Sequence, residues 1–203
     1  MRIMLKNVRL LYGAALFTPQ RGPNGEGEPK HSGTFGFPKD HPVVAEIKAG
    51  FQKIATEKWG AKAVEVYTML KAADKLCLHD GDAKADKEGF KGNLYLSASN
   101  KLKPLVIDGQ LQPLQANSGK PYSGCQVNAT VQLWAQDNRF GKRINASLKG
   151  VQFLRDGPRL SGGGVSSVEE YEAIPEAETP APAGEGAKPA AGATTGGNPD
   201  LFA

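Results

Sequence analysis

Tyr95 and Trp134 sit in segments where apolar and polar residues alternate, and each falls on the polar side, among Asn93, Ser97, Asn128, Thr130 and Gln132. Flat rings presented among hydrogen-bonding side chains offer surfaces on which nucleic-acid bases stack, a contact worth roughly 1–3 kcal/mol per base and indifferent to base identity. Lys101, Lys103, Arg139, Lys142, Arg143 and Lys149 flank the same segments, and cations so placed pair with phosphates along a strand. Phe35 and Phe37, on one face of a Gly-rich stretch, add two rings that either stack on bases or fill the core. Large aromatics tend to burial, which weighs towards core for these two and leaves both alternatives open for Tyr95 and Trp134.

Catalysis finds less to work with. The chain carries no Walker loop, no GxSxG and no HExxH, and His31, His41 and His79 do not fall at metal-ligand spacing. Asp80, Asp82, Asp86 and Glu88 form an acidic group of the kind that holds Mg²⁺ in a nuclease, yet they alternate with Gly, Ala and Lys as solvated loops do. Cys77 and Cys125 lie far apart without a CxxC context, which reads as two inert thiols in a reducing cytoplasm rather than a disulfide or a zinc site. A non-catalytic protein without metal or cofactor is therefore expected. Its rivals are a metal-dependent nuclease or processing factor built on Asp80, Asp82 and Asp86, and a protein-interaction module.

The elements that must position these groups follow from hydrophobic period. Ile3–Tyr12 suits a first strand, and His31–Phe37 a second that Pro38 ends. Asp40 as N-cap and Pro42 in the first turn open a helix through Val43, Val44, Ile47, Phe51, Ile54 and Ala55, ending near Trp59 and Gly60. A weaker helical pattern runs over about residues 61–71. Strand signals then return at Asn93–Ala98, Leu105–Asp108 and Cys125–Trp134. After a turn at Asp137–Gly141 the chain comes back with Ile144, Ala146 and Leu148 inward and Arg143, Asn145, Ser147 and Lys149 outward, before Val151, Phe153 and Leu154 complete the core. These elements predict a mainly β fold, an OB-like antiparallel barrel of five or six strands with one or two helices inserted. Periodicity alone leaves a small β-sandwich or a split α+β sheet open.

Charge divides the 203 residues in two. Residues 1–160 carry 24 Lys and Arg against 14 Asp and Glu, a net +10, whereas residues 161–203 carry Lys188 against seven acids, a net −6. A basic body invites a polyanion, and an acidic segment on the same chain competes for it. From residue 161 large apolar residues are scarce until Leu201 and Phe202, too few to offset the entropy of ordering. The expected organisation is a nucleic-acid-binding domain over 1–158 and a disordered acidic Gly/Ala/Pro-rich tail over 159–203. Asp200, Leu201 and Phe202 at its end have the form of a short partner-docking peptide. No apolar run approaches the roughly 20 residues needed to span a bilayer, so no membrane contact and a cytoplasmic location are expected. The sequence leaves room for a homodimer.

Six ordered runs carry a resemblance: Gly27-Glu28-Pro29-Lys30, Pro38-Lys39-Asp40, Leu78-His79-Asp80-Gly81-Asp82, Ser99-Asn100-Lys101-Leu102-Lys103-Pro104, Tyr122-Ser123-Gly124-Cys125 and Leu154-Arg155-Asp156-Gly157. Together, over about residues 3–170, they resemble a bacteriophage single-stranded DNA-binding family. The resemblance implies an OB fold similar to the replication single-strand binders of T-odd phages, a role in DNA replication, recombination or repair, and single-stranded DNA as partner. It also implies a C-terminal tail that screens the DNA groove and recruits replication or recombination proteins. The chain departs from that pattern by ending in Leu201-Phe202-Ala203 rather than in a terminal Phe, and by a less densely acidic tail. Both departures bear on partner docking more than on DNA binding. Nothing in the residues separates DNA from RNA, since contacts to the 2′-hydroxyl make that distinction.

Overall fold

The alternating segments become the strands of one strongly curved sheet. In the computed structural model, which describes residues 1–22, 25 and 27–160, the chain runs β1 (Arg2–Tyr12), β2 (His31–Pro38), α1 (Val43–Trp59), α2 (Ala63–Ala72), β3 (Leu78–Asp80), β4 (Asn93–Asn100), β5 (Leu105–Ile107), β6 (Gln126–Asn138) and β7 (Gly141–Arg155). The strands lie in the order β3-β4-β2-β1-β6-β7-β5. Every pairing is antiparallel except that of β5 with β7. The sheet curls until β4 meets β7, where Asn100 Nδ2 donates to the Leu148 carbonyl at 2.9 Å, and the segment before β3 also meets β7, the Ile144 N–H donating to the Lys75 carbonyl at 3.1 Å. The result is the expected mainly β, barrel-like fold, with seven strands rather than five or six. The additional strand, β3, is three residues long and pairs with β4 at the edge, too short for alternation to reveal.

Inward residues of β1 (Ile3, Leu5, Val8, Leu10), β6 (Val127, Ala129, Val131, Leu133) and β7 (Ile144, Ala146, Leu148, Val151) form one core. The long helix α1 closes an end of it through Ile47, Phe51 and Ile54. Gly50 lets it approach: a Cβ there would stand 2.9 Å from Leu133 Cδ1. The helix starts without the expected Asp40 cap. The position before its first residue is Pro42, and the Val43 N–H is taken by His41 Nδ1 at 3.2 Å.

Phe35 and Phe37 belong to the core. Both are essentially inaccessible, at 0% and 1% exposure, because β2 lies between β1 and β4 and turns this face inward. Neither can serve as a base-stacking ring. The alternation placed them together on one face, and that face is the buried one.

A second, smaller apolar cluster lies on the outer face of the sheet and comprises Leu11, Phe90, Tyr95 and the half-buried Leu160. Ordinary alternation puts Leu11 in this outer cluster while Leu10 stays in the main core, and a bulge in β1 between Leu10 and Tyr12 then turns Tyr12 outward as well. The segment between β3 and β4 folds back over the end of that face. Gly81 makes the return tight enough, since a Cβ on it would lie 2.1 Å from the Phe90 carbonyl oxygen.

Candidate nucleic-acid interface

Where the curled sheet brings β4 towards β7, the outer faces of β2, β4, β6 and β7 enclose a groove of about 680 Å³. One side is built on the long β6–β7 ladder, in which Trp134 stands opposite Asn145 and Gln136 opposite Arg143. All four point outward because their neighbours Leu133, Ile144 and Ala146 fill the core. The other side carries Ser97, Ser99 and Lys101 from β4 and its end, with Lys30, Ser32 and Thr34 from β2 and the residue before it. Trp134 keeps 41% of its surface exposed. A large ring left that open, among Ser, Thr, Asn and Gln, has desolvation still to gain from a planar ligand.

The cations of this groove are available. Arg143 is exposed, and its guanidinium makes no ion pair or hydrogen bond among the described residues. Lys101 pairs with Glu28, both side chains about two-thirds exposed, and the lysine holds the Glu28 carboxyl below the usual carboxylate range by its hydrogen bond and charge. Exposed pairs are weak and salt-screened, so a phosphate can take the place of Glu28. At the same groove His79 Nδ1 lies 2.7 Å from Asp74 Oδ1, and its ring stacks on Tyr95 with centroids 5.0 Å apart.

Tyr95 itself is not a groove residue. It faces outward, as the alternation requires, but it is only 6% exposed, covered by His79 and by the Phe90 ring set edge-on at 4.9 Å. Period-two alternation identifies the side of a sheet and says nothing of what folds over it. The expectation that Tyr95 stacks on bases is therefore overturned.

The other predicted cations, Lys142, Arg139, Lys103 and Lys149, are not among the residues that line the groove. Lys142 pairs with Asp137 at 2.7 Å and sits 5.8 Å from the Trp59 ring, whose Nε1 donates to the same carboxylate at 2.8 Å. These contacts brace the β6–β7 hairpin against α1 and hold the Asp137 carboxyl down, the Lys142 hydrogen bond contributing most. Arg139 lies over the exposed Phe140 ring at the hairpin tip, 4.8 Å from its centroid. Lys103 is exposed in the turn after β4, and Lys149 is half-buried on β7. Asp200, Leu201 and Phe202 lie outside the described residues.

Two residues escaped the sequence. Lys30 lines the groove from the start of β2, where it bridges to Gln20 through backbone hydrogen bonds of 2.8 and 2.9 Å. Tyr12 pairs with Thr34 of the groove wall and remains 41% exposed, its ring 5.6 Å from Phe90. The bulge that places it has no period-two signature.

The acidic turn is occupied by a lysine. Lys39 Nζ lies 2.9 Å from Asp80 Oδ2 and 2.7 Å from Asp82 Oδ2. The remaining oxygens accept the backbone N–H groups of Asp82 and Gly92, and the hydrogen bonds from Lys39 hold both carboxyls below their usual range. Lys39 thus bridges the two carboxylates, and each of their four oxygens accepts one hydrogen bond. Cys77 is buried, which pushes its thiol up to about 12; burial also raises that of Cys125. Neither is a thiolate at neutral pH. Among the described residues no helix is long and apolar enough to cross a membrane.

Comparison with known proteins gives a consistent set of relatives. The family profile described as the single-stranded DNA-binding protein of Enterobacter phage Enc34 matches residues 1–181. Protein p50 of Acyrthosiphon pisum secondary endosymbiont phage 1 is 49% identical over 181 residues, covering 88% of this chain and 96% of that protein. The single-stranded DNA-binding protein of bacteriophage Enc34, solved in complex with single-stranded DNA, superposes with a TM-score of 0.67 at 32% identity, covering 78% of this chain and 88% of that one. The single-stranded DNA-binding protein gp2.5 of bacteriophage T7 shares the fold, with a TM-score of 0.51 at 13% identity over 86% of this chain and all of that one.

Proposed function

This chain belongs to the family of the Enterobacter phage Enc34 single-stranded DNA-binding protein, and we propose that it holds single-stranded DNA, without sequence preference, in the groove between β4 and β7. The observation that carries this reading is the exposed Trp134 ring beside the unpaired Arg143, facing Lys30 and Lys101 across a wall of small polar side chains. The ring stacks on a base; the cations follow the phosphates on either side. The protein acts by binding, with no chemistry of its own, in phage DNA replication, recombination or repair in the host cytoplasm. The solved Enc34 protein carries single-stranded DNA, which supports the assignment of ligand.

The test is a fluorescence-anisotropy titration of the full chain against labelled oligo-dT and a matched duplex at several salt concentrations. Three groove cations give a slope of about −2 in log K against log salt, or roughly a 20-fold loss between 50 and 200 mM. The single strand is expected to bind ahead of the duplex. Equal or absent binding to both would overturn the assignment.

The tail competes with DNA for the basic surface. Its first acids follow a well-anchored point: the Leu160 N–H donates to the Ser123 carbonyl at 3.0 Å, and the Leu160 side chain packs on the outer cluster with Tyr95, two residues along β4 from Ser97 in the groove. Glu169 comes nine residues later, a contour of at most about 30 Å. Deleting residues 161–203 is expected to tighten binding severalfold at low salt, with the gain fading as added salt shortens the Debye length. The same affinity with and without the tail would remove the competition and leave the groove. Asp200, Leu201 and Phe202 are proposed to dock replication or recombination partners.

A further inference from the structure

On the same outer face, four residues along β4 from Ser97, Asn93 marks a second hollow of about 330 Å³. It crosses the sheet along a row of paired positions. Asn93 of β4 stands opposite Pro38 of β2, Gly36 opposite Arg9 of β1, and Gln126 of β6 opposite both Arg9 and Arg155 of β7. His41 also lines it; because its Nδ1 accepts the Val43 N–H, the ring proton is on Nε2.

Among the described residues no carboxylate lines this hollow, whereas Lys39, Lys101, Lys120 and Lys142 elsewhere on the body each carry an acidic partner. Arg9 is held in place by donating from Nε to the Gly124 carbonyl at 3.3 Å and from Nη2 to the Pro158 carbonyl at 3.0 Å. Arg155 is exposed, and its guanidinium makes no hydrogen bond or ion pair among the described residues. A concavity of donors with one anchored and one free guanidinium matches a phosphate, whose oxygens the planar fork meets in pairs.

We propose that this hollow is a second phosphate-binding subsite for the same DNA strand, reached after the strand leaves the Trp134 groove and passes over the exposed ring of Tyr12. The inference rests on the groove reading above. Tyr12 lies on the way: it pairs with Thr34 of the groove and touches Phe90, whose cluster separates the two depressions on β4. The four residues from Ser97 to Asn93 span about 13 Å, no more than about four nucleotides at the 3.4 Å rise of a stacked strand. A strand seated in both depressions contacts the protein in two stages, so affinity depends on oligonucleotide length in two steps.

The test is an oligo-dT length series titrated against the full chain, Arg155→Ala and Arg155→Lys, each at several salt concentrations. Arg155 is exposed and unpartnered, so its loss leaves the fold intact. In the unaltered protein affinity rises a second time once the oligonucleotide is long enough to leave the groove. Arg155→Ala is expected to erase that second rise and to lower the salt slope for long oligonucleotides by about 0.7, with short ones unchanged; Arg155→Lys restores the slope. Equal weakening at every length, or a length dependence identical to that of the unaltered protein, would overturn the subsite. Should the full chain bind and Trp134→Ala weaken it while Arg155→Ala changes nothing, the subsite alone falls. Should the full chain bind no oligonucleotide of any length at low salt, the groove falls and the subsite with it.

Discussion

Phe35→Ala is expected to lower folding stability by about 3–5 kcal/mol, the cost of removing a fully buried aromatic side chain and leaving a cavity. Phe35 lies opposite Leu10 of β1 on one side and Leu96 of β4 on the other, and its surroundings cannot close over the gap, since both flanking strands are held in register. A domain of this size holds about 5–15 kcal/mol in total, so the variant sits near the edge of folding at growth temperature. Urea denaturation monitored by circular dichroism gives the stability change. Anisotropy with oligo-dT, under conditions where the variant is still folded, is expected to give unaltered affinity. A ring that stacked on bases would show the reverse, with lost affinity at little cost in stability. Phe37, equally buried and opposite Leu94, behaves in the same way.

That contrast marks how far the amino-acid pattern reaches. The β6–β7 ladder is legible because it is long: strands of thirteen and fifteen residues, alternating over Val127–Leu133 and Ile144–Leu148, put Trp134 and Arg143 outward and Leu133 and Ile144 inward with no other information. The same logic assigns Tyr95 to the outer face correctly, but the cover of His79 and Phe90 comes from a return of the chain through Gly81 that no local period encodes. Phe35 and Phe37 show the converse, because two rings on one face are compatible with a core and with a platform until the neighbouring strands are known. Tyr12 was hidden by a bulge, and Lys30 by its position at a strand start whose groove partners lie about 70 to 115 residues away in sequence. The acidic turn was misleading in composition only. Its carboxylates are paired with Lys39, and a lysine some 40 residues upstream cannot be matched to them by spacing.

Trp134→Ala, by contrast, is expected to cost DNA affinity and little stability. Losing one stacked base amounts to about 1–3 kcal/mol, or roughly 5- to 150-fold in Kd. Trp134 is part of no buried cluster, with 41% of its surface open, so the melting temperature stays close to that of the unaltered chain. The salt dependence separates stacking from charge. Stacking releases no counterions, so the plot of log K against log salt for Trp134→Ala runs parallel to that of the unaltered protein, displaced downward, whereas loss of a phosphate contact would flatten it. Trp134→Phe retains a π face and recovers most of the loss, because the contact is indifferent to base identity and needs only a flat ring in the right place. A flattened slope would assign Trp134 to positioning Arg143, its diagonal neighbour across the ladder, rather than to holding a base. A fall in melting temperature that tracks the affinity loss would return Trp134 to a structural part, and the groove would then rest on its cations alone.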